Sequence, residues 1–195
     1  MRVERIGRLL VIPFLLLAAY LIWRGFISEA IERRLYPLYY TDVVEASADE
    51  FGVPPELVYA VILTESSFDP DAVSSAGAKG LMQLTDDTNE WVAWRLGEEA
   101  EPSRIFEPGL NIRRGCYLLS YLYERFGGWN KALAAYNAGV GRVDGWLDDL
   151  LYSSDQKTLI IDKLPIEETR SYIAKVLKSA EKYKKLYFEE NSEEI

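Results

Sequence analysis

Apolar residues run from Leu9 to Trp23 without a charged interruption, then break into short clusters separated by glycine, proline and polar stretches for the rest of the chain. Continuing past Arg24 to Ile27 gives nineteen residues. As a helix at ~1.5 Å per residue this is roughly 28 Å, close to the thickness of a bilayer's hydrocarbon core. Arg24 can snorkel to an interface, Tyr20 and Trp23 suit the same boundary, and Pro13 is tolerated in a membrane helix. Arg2, Arg5 and Arg8 precede the span against a single Glu4, so the positive-inside rule places the N-terminus in the cytoplasm and the bulk of the chain outside. A cleaved signal peptide is the rival reading. Ala18-Ala19-Tyr20 is a poor small-x-small site, however, and the apolar run passes through it. The pattern therefore predicts a cytoplasmic stub and transmembrane signal-anchor over residues 1–27, and a connector over 28–40 with Pro37 within it.

The remainder reads as short helices. Thr41 caps a helix to Phe51 that stops at Gly52. Pro55, in a natural first-turn position, opens the next, which runs to about Ser67 and is broken by Asp69-Pro70. A loop rich in Ser, Ala and Gly spans residues 71–80. Thr85 caps a helix that carries Asp86 and Asp87 in its first turn and ends at Gly97. Pro108 precedes a longer helix through Ile112, Cys116, Leu119 and Tyr123 to Gly127-Gly128. Further helices follow over residues 130–138, about 143–151, and from Pro165 to about Tyr187. The polar tail, 189–195, has the composition of a frayed end. Strand signals are few: Thr158–Ile161 is β-prone but short, and the 69–82 loop has room for a small β element. The fold class expected over residues 41–188 is mainly α.

Composition narrows the chemistry. The chain has 195 residues, no histidine and one cysteine, Cys116. Imidazole-dependent triads, His-ligated metal sites, Cys-cluster metal sites and an intramolecular disulfide are excluded. Asp69 and Asp71 lack the glycine and terminal Glu of an EF-hand, so neither a metal nor any other cofactor is expected. Without Arg2, Arg5, Arg8, Arg24 and Glu4 the chain carries 18 basic and 30 acidic residues, net −12. That argues against nucleic acid as a partner and against capture of an anionic polymer by bulk charge; binding one would take a shaped groove.

Acid–base work falls to the carboxylates. In the helix after Pro55, Val58, Val61, Ile62 and Glu65 fall at i, i+3, i+4 and i+7, the core-facing stripe of an amphipathic helix. A carboxylate held against apolar side chains has a raised pKa, as a general acid working near neutrality requires. From this helix alone a second reading stands beside the first: Glu65 lies just past the buried turn and is solvated.

Four blocks then occur in order: Glu65-Ser66; Gly77-Ala78-Lys79-Gly80-Leu81-Met82-Gln83; Ala135-Tyr136-Asn137-Ala138-Gly139; and Glu168-Thr169-Arg170-Ser171-Tyr172. Together they resemble the lytic transglycosylases of the soluble-lytic-transglycosylase type, across about residues 41–183. The resemblance implies an α+β lysozyme-like fold, many short helices around a glycan-binding groove. It implies Glu65 as the catalytic acid, Ser74 orienting it or the substrate, and Tyr136 beside its carboxyl group. Met82, Gln83 and Asn137 would line the groove, and Glu168, Arg170 and Tyr172 would support its far wall. Each has a plainer reading: Tyr136 and Met82 as core, Asn137 as a helix C-terminal residue, Glu168 and Arg170 as a solvated surface pair.

The same resemblance implies peptidoglycan glycan strands as the partner, and cleavage of the β-1,4 bond from N-acetylmuramic acid to N-acetylglucosamine. Glu65 would protonate the leaving oxygen, then take the proton of the C6 hydroxyl as that hydroxyl attacks C1, forming a 1,6-anhydro end without consuming water. The enzyme would be a single-pass protein of the cell membrane with its catalytic domain outside the cytoplasm. Three alternatives remain: a goose-type lysozyme-like hydrolase of the same bond, a non-catalytic peptidoglycan-binding or assembly protein, and a membrane-anchored helical interaction module.

Overall fold

A computed structural model of the chain describes residues 2–189, with the side chains of residues 2–14, 18, 19, 22 and 26 outside that description. The chain divides into two units, Met1–Pro37 and Leu38–Ile195. The first is one continuous helix, α1, Arg2–Leu35. The expected connector over 28–40 is therefore helical for its first eight residues. No proline or glycine falls between Ser28 and Pro37, and Arg33 pairs with Glu29 one turn back at 2.9 Å, a spacing that supports a helix. The expected span over residues 9–27 falls in large part on side chains outside the description. Among the described residues, no helix is long and apolar enough to cross a membrane. The tail over 190–195 also lies outside the described residues.

The second unit is mainly α, as the pattern of glycine stops predicts. Its helices are α2 (Thr41–Phe51), α3 (Pro55–Ser66), α4 (Asp86–Leu96), α5 (Pro108–Phe126), α6 (Trp129–Ala138), α7 (Val140–Asp148) and α8 (Glu167–Tyr183), the last running on into a π-helical turn, Lys184–Phe188. Gly52, Gly97 and Gly127 end α2, α4 and α5 in the left-handed conformation, which costs glycine nothing. The Thr85 hydroxyl caps α4 by accepting from the Thr88 N–H. Helix α7 begins at Val140, three residues before the expected start. The β content among the described residues is three isolated antiparallel bridges, two of them in the loop after α3: Val73 with Lys79 and Lys79 with Leu84.

Helix α3 is the centre of the domain. It packs most extensively on α8 and also on α2. Every residue from Leu57 to Ile62 is at most 3% exposed, so the helix is buried on all sides rather than along one stripe. A helix apolar all round belongs inside a core. Tyr59 stacks on Tyr183 of α8 with ring centroids 5.3 Å apart, fixing the register of the two helices. Helix α5 packs against α2 and α6, and α6 packs against α8, so α3, α6 and α8 converge where α3 ends.

Candidate active site

Glu65 lies in the last turn of α3, on the final stretch of the core helix. Helix α3 stops because Ser67 (φ 52°) and Phe68 (φ 67°) are both left-handed. For a residue other than glycine this costs roughly 1–2 kcal/mol each. Packing holds the turn in place. The Phe68 ring is 7% exposed and meets Tyr39 edge-on at 5.4 Å and Tyr59 at 6.5 Å. The chain thus swings away directly after Glu65 and leaves the half-buried carboxyl at the mouth of the core.

Its surroundings change its proton affinity. Burial pushes the Glu65 carboxyl up to about 7, and the exposed Glu168 on the first turn of α8 adds repulsion in the same direction. The Tyr172 hydroxyl of α8 opposes part of the rise, although it is buried with no partner in full hydrogen-bond geometry. Tyr136 of α6 also lies within the field of Glu65. Burial first, then the Glu65 charge, raises the pKa of both phenols well above the usual value. They remain neutral donors while the carboxyl exchanges its proton near neutrality, a combination suited to general acid and base work.

The segment Leu81-Met82-Gln83 is pinned beside this site from several sides. The Ser66 hydroxyl donates to the Leu81 carbonyl at 2.9 Å. The Tyr136 hydroxyl donates to the Met82 carbonyl at 2.7 Å. The Met82 N–H donates to Asn111 Oδ1 at 2.7 Å. Asn111 Nδ2 donates to the carbonyls of Lys79 (3.0 Å) and Ile105 (2.8 Å). Gln83, itself left-handed at φ 49°, donates through Nε2 to the carbonyls of Ala72 (3.1 Å) and Gly80 (2.9 Å). Gly80 has φ 74°, and a Cβ there would overlap the Asn111 amide. Neither the backbone angle nor the space admits a side chain.

The expected site residues divide accordingly. Glu65, Tyr136 and Tyr172 are brought together, with Glu168 within electrostatic reach. Met82 does not line a groove: its side chain is fully buried against Gly115 of α5, where a Cβ would collide with its sulfur. Its backbone, not its thioether, belongs to the site. Ser74 is exposed, and its hydroxyl accepts from the Ala78 N–H at 3.0 Å within its own loop. That bond shapes the loop and does not orient Glu65. Gln83 spends its donor on the same loop. Asn137 accepts from the buried Thr169 hydroxyl at 2.7 Å, tying α6 to α8 and leaving its own amide N–H groups unused by that bond. Arg170 donates to the Leu164 carbonyl, so it supports the start of α8 rather than pairing with Glu168. Asp69 is a turn residue, accepting from the Asp71 N–H at 3.0 Å. A cavity of about 350 Å³ between Gly127–Lys131 and Lys157–Leu159 shares no residue with this site.

Sequence reasoning assigns no role to Ser66 and Thr169, which stand in two of the four blocks, and passes over Asn111 and Gly115. Asn111 carried a signal: it falls with Gly115, Leu119, Leu122 and Phe126 on the buried stripe of α5, a polar residue on an apolar face.

Comparison with known proteins places this geometry in a family context. The description "Transglycosylase SLT domain" matches residues 42–158. The soluble lytic murein transglycosylase of Escherichia coli is 32% identical over 157 residues, covering 78% of this chain and 24% of that protein. The membrane-bound lytic murein transglycosylase C of Yersinia enterocolitica is 31% identical over 172 residues, covering 75% of this chain and 47% of that protein. The crystal structure of the 70 kDa soluble lytic transglycosylase of Escherichia coli superposes with a TM-score of 0.73 at 30% identity, over 79% of this chain and 25% of that one. The chain thus spans about a quarter of the length of the soluble relatives it matches and about half that of the membrane-bound one.

Proposed function

The chain belongs to the transglycosylase SLT domain family, and on that premise we propose that it is a peptidoglycan lytic transglycosylase in which Glu65 acts first as acid and then as base. The observation that carries this reading is a single carboxyl group at the end of the core helix, with its pKa pushed up to about 7 by burial and flanked by two neutral phenols. Protonated Glu65 donates to the glycosidic oxygen leaving C1 of N-acetylmuramic acid. The substrate's acetamido group stabilises C1. The resulting carboxylate takes the proton of the C6 hydroxyl, which attacks C1 and closes the 1,6-anhydro ring. Tyr136 and Tyr172 keep their protons throughout; Tyr172 is the donor that faces the carboxyl, while Tyr136, whose hydrogen goes to the Met82 carbonyl, walls the site without donating to it. Asn137, anchored by Thr169, offers its amide N–H groups toward substrate polar atoms, and Glu168 keeps the Glu65 proton affinity high.

An ordinary glycosidase needs a second carboxyl group as base or nucleophile. Asp69 accepts a hydrogen bond within its own turn, and Glu168, though within electrostatic reach of Glu65, is exposed at the start of α8, which favours the transglycosylase over the goose-type hydrolase on the same fold. Two measurements on purified peptidoglycan test this. The released muropeptides are expected to be lighter by one water than hydrolysis products. The reaction must start from protonated Glu65, so kcat/KM is expected to fall about tenfold per pH unit above about 7, with no rising limb from a second carboxylate between pH 4 and 7. Tyr172→Phe, which removes the group that opposes the rise, is expected to move the falling limb to higher pH. Hydrated products, or a bell-shaped profile set by two carboxyl groups, would favour the hydrolase.

We infer in addition that α1 anchors the enzyme in the membrane with its catalytic unit outside the cytoplasm. Supporting this are the charge-free run from Leu9 to Trp23, its basic flank, and the exposure on α1 of Leu15, Leu16, Leu17, Leu21, Trp23 and Ile27. The intact chain is expected to sediment with membranes and resist a high-salt wash, and a chain lacking residues 1–27 to be soluble and active. Release of a mature form beginning near residue 20–30 would sink the anchor and leave the enzyme.

A further inference from the structure

The turn that aims Glu65 is built from residues that resist it. Ser67 and Phe68 are consecutive left-handed residues and neither is glycine; such a backbone persists only where the surroundings over-determine it. A row of rings supplies that support. Phe68 meets Tyr39 edge-on at 5.4 Å and Tyr59 at 6.5 Å. Tyr59, fully buried in α3, also meets two rings from the C-terminal end of α8 and the turn beyond it: Tyr183 at 5.3 Å and Phe188 at 6.3 Å. All of these separations fall in the range of about 4.5–7 Å at which aromatic pairs attract.

The π-helical turn, Lys184–Phe188, brings the last of these rings into place. In a regular α-helix, residues five apart stand about 140° apart around the axis, so Phe188 would face away from the Tyr183 side. The Glu189 N–H instead donates to the Lys184 carbonyl at 2.7 Å. This bond spans five residues, widens the turn and brings positions 183 and 188 toward one face. Phe188 is half-buried, its ring tilted 30° from that of Tyr59. Phe188, Tyr59 and Phe68 thus form a continuous row that reaches the left-handed turn directly after Glu65.

We propose that Phe188 is a positioning residue for Glu65: through the Tyr59 and Phe68 rings it holds the left-handed turn that ends α3, and so fixes where the Glu65 carboxyl stands. The proposal rests on the reading of Glu65 as the proton donor and extends its alignment to the turn after α8. Without the Phe188 ring, Tyr59 loses a neighbour and the support of Phe68 slackens. The turn then relaxes toward the negative φ values that serine and phenylalanine prefer, and the carboxyl shifts toward water. Burial is the first cause of its raised proton affinity, so hydration lowers that affinity. The groups that act on the carboxyl from α6 and α8, Tyr136, Tyr172 and Glu168, are left unchanged by a substitution at 188.

The test uses the full chain in detergent, labelled with ¹³C at the glutamate carboxyl groups, with the Glu65 signal assigned by Glu65→Gln. Glu65 of the parent is expected to titrate near 7, and that of Phe188→Ala at least about half a pH unit lower. On purified peptidoglycan, kcat for Phe188→Ala is expected to fall about three- to tenfold, the scale of one aromatic contact. KM is expected to stay within about twofold of the parent's, because Asn137 and the other groups offered to the substrate are intact. Phe188→Tyr keeps the ring and is expected to restore both the midpoint and kcat. Leu122→Ala, which removes a buried side chain of α5 outside the row of rings, is expected to leave the Glu65 midpoint in place. All variants are compared at a temperature where circular dichroism shows them folded, and Phe188→Leu, with the same shift expected, replaces an alanine variant that does not fold. A parent-like midpoint and kcat in Phe188→Ala overturn the proposal and leave the enzyme reading intact. An equal midpoint shift in Leu122→Ala also overturns it, because general loosening then explains the effect. If the parent releases no anhydro products, the enzyme reading fails, and the carboxyl titration still decides whether Phe188 positions Glu65.

Discussion

Glu65→Gln is expected to lower the release of anhydro-muropeptides by at least about 10²–10⁴-fold, the usual contribution of a positioned proton donor, and by more where the same group must also act as base. Glutamine keeps the size and the hydrogen-bonding capacity of the carboxyl but cannot transfer a proton. Glycan binding is therefore expected to survive in the variant. Stability is expected to move the other way. The folded-state pKa of Glu65 is raised from 4.5 to about 7, so the folded protein binds this proton more tightly than the unfolded chain. Below about pH 4.5 the group is protonated in both states and carries no penalty. Between about pH 4.5 and 7 the unfolded chain has released this proton while the folded state retains it, so stability falls across that window and levels off above it. At about 1.36 kcal/mol per unit, the penalty above pH 7 is at most roughly 3 kcal/mol, and the glutamine variant escapes it. Denaturant unfolding at pH 4 and pH 8 checks this: the variant should match the parent at pH 4 and exceed it at pH 8. Turnover at the parent rate would move the catalytic role to another carboxylate, and equal stabilities at both pH values would show that the Glu65 site is not desolvated.

The parts of the fold legible in the sequence are those fixed by local rules. Gly52, Gly97 and Gly127 stop helices because only the backbone of the next residue decides, and Thr85 caps α4 by a bond three residues long. Glu65 could be singled out because an acid among Val58, Val61 and Ile62 breaks the pattern. The stripe does not account for its burial: α3 has no solvent face between Leu57 and Ile62, and only the packing of α2 and α8 around it reveals that. Met82 illustrates the same limit. Its place in a motif says that it belongs to the site, but whether its side chain or its backbone serves depends on Gly115, thirty-three positions away. Ser74 lies in a loop whose shape follows from long-range bonds to Gln83 and Asn111, so its direction had no sequence signal. Asn111 did have one, the same polar break in an apolar stripe that marked Glu65, but it lay on a helix that carries none of the four motif blocks.

Asn111→Ala is expected to destabilise the catalytic unit by roughly 3 kcal/mol or more. The side chain is fully buried and serves three backbone groups from different segments: the Met82 N–H, the Lys79 carbonyl and the Ile105 carbonyl. Alanine leaves the Met82 N–H and the Ile105 carbonyl without this partner, while the Lys79 carbonyl keeps the Leu84 N–H at 3.0 Å, and a buried polar group left unpaired costs about 1–3 kcal/mol. For a domain of this size 1 kcal/mol corresponds to about 2–4 °C, so thermal unfolding followed by circular dichroism should fall by roughly 6–12 °C. Asn111→Asp retains an acceptor for the Met82 N–H but no donor for the two carbonyls, and it introduces a buried charge. It should therefore not rescue the loss, which separates a need for both amide functions from a need for volume. Activity should fall as well at temperatures where the variant is folded. The Met82 carbonyl is the acceptor of the Tyr136 hydroxyl, and loosening Met82 loosens the phenol that stands beside Glu65. An unfolding temperature within 2 °C of the parent would mean that Ser66 and Gln83 alone hold the segment, and that Asn111 fills space without bearing its bonds.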